Sequence, residues 1–339
     1  MDTMKPDTMP PSRYSVAVVG AGMAGLTCAS ALQAAGLKVR LFEKSRGVGG
    51  RLSTRRTEDW EADHGAQYFT ASSAPFRAQV AAWLEAGMIS PWAPRLAVIG
   101  PQAPRAEGPS NGPRRYVGMP GMSGLAKALA VDLDVRTQHT VTDVARETRS
   151  WRLATREHGW QDEAYDALVI AVPAPQVAPF TSKVSPLLGE LARSGSMQPC
   201  WTLMAQFDHP VELPFEAAFV NQGALRWVAR NSSKPGRRGQ ESWVLQAGAS
   251  WSQAHLEDDE TWVMARMIAA FQDLGGPRPV TSTLHRWRYA DTEPLSAGFA
   301  WDPDTGAGLC GDWLSGGKVE GAWLSGRNLA HTMVKRLVS

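Results

Sequence analysis

The stretch from Tyr14 to Arg51, YSVAVVGAGMAGLTCASALQAAGLKVRLFEKSRGVGGR, constrains this chain more than any other. An apolar run, Ser15 to Val19, meets Gly20, Ala21, Gly22, Met23, Ala24 and Gly25, then passes into an alanine- and leucine-rich helical pattern ending at Gly36. A second apolar run, Val39 to Phe42, ends in Glu43. Strand, glycine turn, helix, strand and acid in that order read as a βαβ unit that binds a dinucleotide. Gly20 allows the tight turn, Gly22 has no Cβ and lets the backbone approach a pyrophosphate, and Gly25 lets the helix pack closely on the strand. Met23 and Ala24 open that helix, whose unpaired N–H groups and dipole favour an anion. Glu43 is suited to accept hydrogen bonds from both hydroxyls of an adenosine ribose, and it would repel a 2′-phosphate on a cofactor held there.

The next residues choose between dinucleotides. Lys44-Ser45-Arg46-Gly47-Val48-Gly49-Gly50-Arg51 continues a glycine-rich backbone beyond the second strand and adds two guanidinium groups. An extended FAD needs such a loop along its pyrophosphate and ribityl chain, with Arg making paired bonds to phosphate, whereas NAD does not. FAD is therefore the expected cofactor, with Lys44, Arg46, Gly50 and Arg51 in its site. This extension resembles flavoproteins of the amine oxidase and glutathione reductase type. The expected fold class is α/β, a Rossmann-like FAD-binding domain of that type joined to a second, mixed-sheet substrate domain.

The 339 residues are 43% hydrophobic and 20% charged, enough for two domains with ample core. A net charge of +2 supplies no electrostatic case for nucleic acid or membrane partners. Cys28, Cys200 and Cys310 lie far apart, show no metal-ligand spacing and leave one thiol unpaired in any bridging scheme, so no metal and a cytoplasmic setting are expected. No apolar stretch reaches membrane-span length; Ala167 to Phe180 is broken by Pro173, Pro175 and Pro179. The oligomeric state stays open.

Along the chain, residues 1–13 read as a disordered tail, Phe76 to Leu84 as a helix, and Pro91 to Pro113 as a long Pro- and Gly-rich excursion. Ser123 is expected to cap a helix from Gly124 to Ala130. Val131 to Val135, Thr140 to Val144 and Trp151 to Thr155 read as a meander leading to a buried strand from Ala167. From Pro175 to about Pro294, Cys200–Phe207, Ala224–Val228 and Ser242–Ala249 alternate like antiparallel strands. Met264, Met267, Ile268, Phe271 and Leu274 recur at helical spacing, so a helix is expected to cover that sheet. The expected FAD-binding domain is 14–75, 116–175 and 295–339, and the substrate domain 76–115 and 176–294.

Near the C-terminus, a short apolar strand is expected to end in Gly311-Asp312, with Asp312 accepting hydrogen bonds from ribityl or ribose hydroxyls. Glu320, Gly321 and Ala322 open the last helix, whose N-terminus would stabilise the negative charge of a reduced flavin. In the substrate half no Ser/His/Asp set, Cys/His pair or paired acids stand out. Arg226, Arg230, Asn231, Lys234, Arg237 and Arg238 form a basic cluster, either phosphate donors or a solvated loop. His285 and Tyr289 flank Trp287 and are placed to reach a flavin cavity, or His285 is simply a structural strand residue. Trp201, Trp227, Trp243, Trp251 and Trp287 are core residues or, for one or two of them, a wall facing the flavin; Trp251 and Trp287 are the residues assigned to substrate.

The segments KSRGVGGRLS, DHGAQYFTA, VGMPGMSGLA, WVARNSSKPGR, HRWRYA and CGDWLSGGKVEGAWLSG together resemble the bacterial renalase group within the flavin amine oxidase superfamily. The resemblance runs from about Tyr14 to the C-terminus, and the last three motifs named are its more specific part. It implies non-covalent FAD and oxidation of the 1,2- and 1,6-dihydro isomers of NAD(P), with oxygen as acceptor and hydrogen peroxide as product. It also implies that Gly65, Ala66 and Gln67 return to the isoalloxazine, with Tyr68 beside the substrate, and that Val141 presents backbone atoms to the adenine; on the residues alone, the segment around Gly65 reads equally as an ordinary turn into a strand. The readings left beside it are an oxidase of small amines and a flavin-binding regulatory protein without turnover.

Overall fold

The computed structural model describes residues 14–101 and 112–337. The expected tail over residues 1–13 lies outside the described residues, as do residues 102–111 of the Pro- and Gly-rich excursion.

β1 (Ser15–Val19) turns at Gly20, whose φ is +100°, into α1 (Met23–Ala34). β2 (Lys38–Glu43) then returns parallel to β1 with Val19 opposite Phe42. A Cβ at Gly25 would lie 2.0 Å from the Gly20 carbonyl oxygen, so helix and turn approach to a distance that only glycine permits. A hairpin follows, β3 (Thr54–Arg56) against β4 (Glu61–Asp63). α2 (Ala74–Glu85) buries Phe76, Val80 and Trp83, spaced for one helical face. β5 (Ile89–Trp92), β6 (Leu96–Ile99) and β7 (Arg115–Gly118) come next, β7 pairing antiparallel with β5.

α3 (Met122–Leu129) corrects the expected cap: its N-cap is Gly121. The hairpin supplies the missing acceptors, since Asp63 Oδ1 receives the Met122 N–H at 3.0 Å and Thr54 Oγ1 receives that of Ser123 at 3.1 Å. β8 (Asp134–Thr137) leaves the expected meander and lies parallel to β2. β9 (Val141–Glu147), β10 (Ser150–Thr155) and β11 (Gly159–Trp160) form the antiparallel remainder, and β12 (Ala167–Ile170) lies beside β1.

Beyond Pro173 the chain forms two helices in a stretch for which no element was expected. These are α4 (Ala174–Val184), with Pro179 inside it, and α5 (Pro186–Ser194), capped by the Ser185 hydroxyl on the Leu188 N–H. Then come β13 (Ser196–Phe207), β14 (Ala217–Val220), β15 (Leu225–Arg230), β16 (Glu241–Ala247), α6 (Ala249–Ala254), α7 (Glu260–Gln272) and β17 (Thr281–Glu293). β18 (Ala300–Asp302), β19 (Ala307–Leu309) and α8 (Val319–Leu337) close the described chain.

Two six-stranded sheets organise these elements. The first runs β18-β19-β12-β1-β2-β8, a Rossmann-like sheet whose strands from both ends of the chain meet at β12. The second runs β17-β13-β16-β15-β14-β6, and β6, out of the Pro- and Gly-rich excursion, pairs parallel with β14. Along β13 the residues alternate between two environments. Trp201, Leu203 and Phe207 pack with Val263, Met267 and Phe271 of α7, while Met204 packs with Ala62 of the β3–β4 hairpin and Val244. Burial of each such α7 side chain contributes about 1.5–3 kcal/mol. The face opposite α7 therefore looks toward the first sheet. Among the described residues no helix is long and apolar enough to cross a membrane.

Candidate active site

The nucleotide cradle is assembled at the carboxyl ends of β1 and β2. Glu43 is buried, and its two carboxylate oxygens accept the N–H groups of Ala21 and Ser45, each at 2.9 Å. These bonds hold the acid at the strand tip with lone pairs left for hydroxyl donors. Gly22 caps α1 without a side chain, so the first N–H groups of the helix are left for an anion. The Gly49 N–H donates to the Ala21 carbonyl at 2.8 Å, laying the second glycine loop along the first. Lys44 and Arg46 are exposed on that loop, and Lys44 reaches the Gln176 side chain. Gly50 sits beside Gly22, with a positive φ of +53°.

Arg51 joins the two ends of the chain. It forms a paired ion bridge with the carboxylate of Asp312, one arm at 2.8 Å, and donates to the Ala290 carbonyl at the end of β17. Asp312 is not a strand-end residue as expected; β19 stops at Leu309 and Asp312 opens a short 3-10 turn. Gly321 lets α8 close on that turn, because a Cβ there would lie 1.5 Å from the Ser315 carbonyl oxygen. Ala322 follows inside the helix and is buried. Glu320 is a correction: its carboxylate accepts the N–H groups of Ser72 and Ser73, which makes it the cap of α2. Val141 begins β9 buried against Phe42 and Val19, close behind the Glu43 tip.

The loop after β4 is held by a buried charge cluster. Asp63 is fully buried and receives Lys234 Nζ at 3.3 Å, Arg237 Nε at 3.1 Å and Thr54 Oγ1 at 2.8 Å. Burial would raise the Asp63 pKa, but Lys234, Arg237 and the Met122 N–H hold it at about 2. Burial pulls Lys234 down to about 8 against the attraction of Asp63, so both remain charged at neutral pH. The expected phosphate cluster is thereby corrected. Lys234 and Arg237 are committed to Asp63, Arg230 to Glu241 and Arg226 to Asp291. Asn231 is buried, bonding the Asp63 N–H and the Glu61 carbonyl, and the Arg238 N–H donates to Glu61. Lys234, Arg237 and Asn231 thus serve the loop, whereas Arg226 ties β15 to β17 at the surface and Arg238, its side chain exposed, contributes its backbone N–H.

Gln67 is likewise turned inward, donating to the Asp63 and Gly65 carbonyls and accepting from Lys234 Nζ at 3.1 Å. Its side chain is spent inside the loop and is not free for an isoalloxazine contact. Gly65 is glycine for a reason other than a flat ligand, since a Cβ there would lie 2.0 Å from the Arg51 carbonyl oxygen. The Ala66 N–H donates to that same oxygen at 2.8 Å.

Between this loop and the second sheet lies an aromatic cluster. His64 stacks on Trp287 with centroids 5.3 Å apart, His285 meets His64 edge-on at 4.8 Å, and Trp287 Nε1 donates to the His64 carbonyl at 2.9 Å. Tyr68 is half-buried nearby, packed on Trp227 at 5.4 Å and beneath the Arg115 guanidinium. His285, Trp287 and Tyr68 lie toward one face of the second sheet, Tyr68 against Trp227 in the cross-strand row Trp227, Gln246, Thr202 and His285, and Tyr289 is half-buried further along β17. Trp251 is a correction: it belongs to α6 and packs with the α7 side of the sheet, stacked near Trp262 and His255. His64, not singled out from the sequence, is central. Its only signal is its place between Asp63 and Gly65.

Both histidines are held neutral. Burial, and then the neighbouring His285 and Arg55, push His64 down to about 4; burial and then Arg55 do the same to His285. Since these folded-state values lie below the ordinary 6.5, the unfolded chain binds more protons between about pH 6.5 and 4. The contribution of the pair to stability is therefore complete above about pH 6.5 and is lost as pH falls through about 4. Melting temperature measured from pH 7 to 4.5 is expected to decline, and His64→Gln to flatten part of that decline; a profile level across the window would contradict the buried neutral pair.

Residues 18–83 match a NAD(P)-binding Rossmann-like domain, and residues 109–334 match the flavin containing amine oxidoreductases. The chain belongs to that family. Its cofactor is FAD. Among curated proteins, an L-amino-acid oxidase from Sistrurus catenatus edwardsii is 52% identical over 50 residues, 15% of this chain and 10% of that protein. One from Siganus canaliculatus is 45% identical over 64 residues, 18% and 12%. The matched part thus spans about a tenth of the length of these relatives. Among solved structures, cyclohexylamine oxidase from Brevibacterium oxydans IH-35A superposes with a TM-score of 0.74 over 96% of this chain and 100% of that one, at 12% identity. Putrescine oxidase bound to putrescine gives 0.72 over 95% and 99%, at 14%.

The cradle of this flavin-containing amine oxidoreductase suits FAD. A Cβ built on Gly22 meets no protein atom within 4 Å, which leaves the open approach that a pyrophosphate needs. A bound FAD would find the Glu43 carboxylate for its ribose hydroxyls and the N–H groups of the α1 N-terminus for its phosphates, with the Arg51–Asp312 ion pair as the expected neighbour of the rest of the cofactor.

Proposed function

We propose that this protein is a renalase-like, FAD-dependent oxidase that takes hydride from 1,2- and 1,6-dihydro isomers of NAD(P), releasing NAD(P)+, with oxygen as final acceptor and hydrogen peroxide as product. When bound, the flavin supplies hydride acceptance at N5 and reaction with oxygen. Hydride loss from a dihydronicotinamide leaves an aromatic pyridinium and requires no proton to be drawn from carbon, so the chain has only to position the ring and exclude water. His64, His285 and Trp287 provide flat surfaces for that purpose.

The observation that carries the reading is that, among the described residues, no unpaired carboxylate adjoins this aromatic cluster. Its two histidines are neutral at physiological pH, and the adjoining acid, Asp63, is spent on Lys234 and Arg237. A protonated amine finds no free carboxylate there, whereas a neutral dihydropyridine needs none. The L-amino-acid oxidase matches cover only a short part of those relatives, and the amine oxidase superpositions lie below 15% identity, so they speak to fold and not to substrate. Cys310, buried in the core against Cys28, supports flavin held without a covalent link, and three free thiols support a reducing, cytoplasmic setting.

The test is anaerobic stopped-flow mixing of the holoenzyme with borohydride-generated dihydro-NAD isomers, ordinary NADH and a panel of amines. Bleaching of the oxidised flavin band by the isomers alone, then recolouring with peroxide in air, is the expected result. Bleaching by an amine and not by the isomers would transfer the assignment to amine oxidation; no bleaching by any donor would leave a flavin-binding protein without turnover.

A further inference from the structure

Arg55, like Arg115 over Tyr68, stands apart from the other basic residues around the aromatic cluster. Its neighbour Arg56 is paired with Glu61 at 2.8 Å, and Lys234, Arg237, Arg230 and Arg226 all have carboxylate partners. Among the described residues Arg55 has none, although it is half-buried. The strand register shows where it sits. Arg55 is opposite Ala62 in the β3–β4 hairpin, so the two share the hairpin face that packs on Met204 and Val244 of the second sheet. His64, two residues beyond Ala62, continues that face. The field of Arg55 depresses the protonation of both His64 and His285, in keeping with a guanidinium beside the aromatic cluster. His64 Nδ1 is itself buried without a hydrogen-bond partner among the described residues.

A half-buried cation without an anion is costly to maintain, and its planar donor fork matches a phosphate. The surroundings extend in one direction. Thr281, at the far end of β17, lines a cavity of about 420 Å³ together with Trp60 and Gln206, whose Nε2 is buried and unpartnered. At about 3.3 Å per residue, Thr281 lies about 20 Å along the strand from Trp287. Along the hairpin, Arg55 falls between that cavity and the His64 ring, the order in which a dinucleotide carries its second nucleoside, its phosphates and its nicotinamide.

We propose that Arg55 is the phosphate-holding residue of the substrate site, receiving the pyrophosphate of a dihydronicotinamide dinucleotide whose reactive ring lies against His64, His285 and Trp287. This rests on the dihydronicotinamide reading and assigns to one hairpin residue the role the sequence suggested for the loop around Lys234. Trp60 and Gln206 then face the far nucleoside.

The experiment compares the holoenzyme with Arg55→Gln and Arg55→Lys, and with Arg288→Gln as a surface control, on two donors. One is the borohydride-generated dihydro-NAD isomers; the other is the corresponding isomers of N-benzyl-dihydronicotinamide, which carry no phosphate. Arg55→Gln is expected to lower kcat/KM for the dinucleotide by about 10- to 100-fold, mainly through KM, and to leave the benzyl compound within about twofold. Arg55→Lys is expected to fall between, and Arg288→Gln to match wild type. Equal losses on both donors, or no loss on the dinucleotide, would overturn the proposal. Should wild type bleach with no dihydronicotinamide at all, the functional reading fails separately, and the anion site is then read by titrating each holoenzyme with inorganic pyrophosphate in a calorimeter. Binding by wild type that is lost in Arg55→Gln sustains the site; no binding, or equal binding, removes it.

Discussion

Asp63→Asn is expected to destabilise the protein by about 3–5 kcal/mol, the range for removing one partner of a buried ion pair. The carboxylate is fully buried and answers two cations, Lys234 and Arg237, whose own side chains are 0% and 1% exposed. Neutralising it leaves both charges in the interior with an amide that donates as well as accepts, so part of the cluster becomes repulsive. The loss extends beyond the cations, because Asp63 Oδ1 also caps α3 through the Met122 N–H and receives Thr54 Oγ1. Urea unfolding with the m-value monitored is the measurement; a change below about 1 kcal/mol would show that the cluster is solvated and carries little. The acid profile gives a second check. With a folded pKa of about 2 against roughly 3.9 unfolded, the contribution of Asp63 is complete above about pH 3.9 and is lost as pH falls through about 2, below the histidine window.

The second large effect separates two glycines of one turn. Gly25→Ala places a methyl group 2.0 Å from the Gly20 carbonyl oxygen, a backbone atom that cannot swing aside. The gain in helix propensity, about 1 kcal/mol, is outweighed by an overpacking cost of about 3 kcal/mol. Gly22→Ala is different: its φ of −80° suits alanine, and nothing in the protein lies within 4 Å of the new atom. It is expected to leave the melting temperature of the apoprotein unchanged while FAD affinity drops by on the order of 10- to 100-fold, since the methyl occupies the cofactor's approach. The flavin-to-protein absorbance ratio after purification, read beside the apoprotein melt, distinguishes the two. A Gly22→Ala protein that retains FAD like wild type would argue that the pyrophosphate does not pass there.

The βαβ unit with Glu43 at its tip was legible because the sequence pattern is local: strand, turn and helix are consecutive, and the glycines answer to their own backbone. The α7 helix was legible for the same reason, from the spacing of Met264, Met267, Ile268 and Phe271. What went astray depended on distant partners. The α3 cap comes from Asp63 and Thr54, 59 and 69 residues away. β8 joined the first sheet through pairing with β2, and β6 joined the second through pairing with β14. The helices α4 and α5 were obscured by Pro175, Pro179 and Pro186, although Ser185-Pro186 is itself a helix-start signal.

The site divides along the same line. By itself the sequence determined the dinucleotide-binding βαβ unit, with Gly20, Gly22 and Gly25 at its turn and Glu43 at its strand tip, because strand, turn, helix and acid lie within a single continuous stretch. It also singled out Arg51 and Asp312, which the fold pairs with each other across 261 residues. Only the tertiary structure decided which charges are spent and which are free. Lys234 and Arg237 read as open donors until Asp63, more than 170 residues earlier, is found against them; Glu320 reads as a flavin residue until Ser72 and Ser73 claim it. Arg55 looks like one of two adjacent arginines, yet strand alternation sends Arg56 to Glu61 and leaves Arg55 beside His64 and His285. Charge pairing in an interior is set by contacts between residues remote in the chain, and no local pattern encodes it.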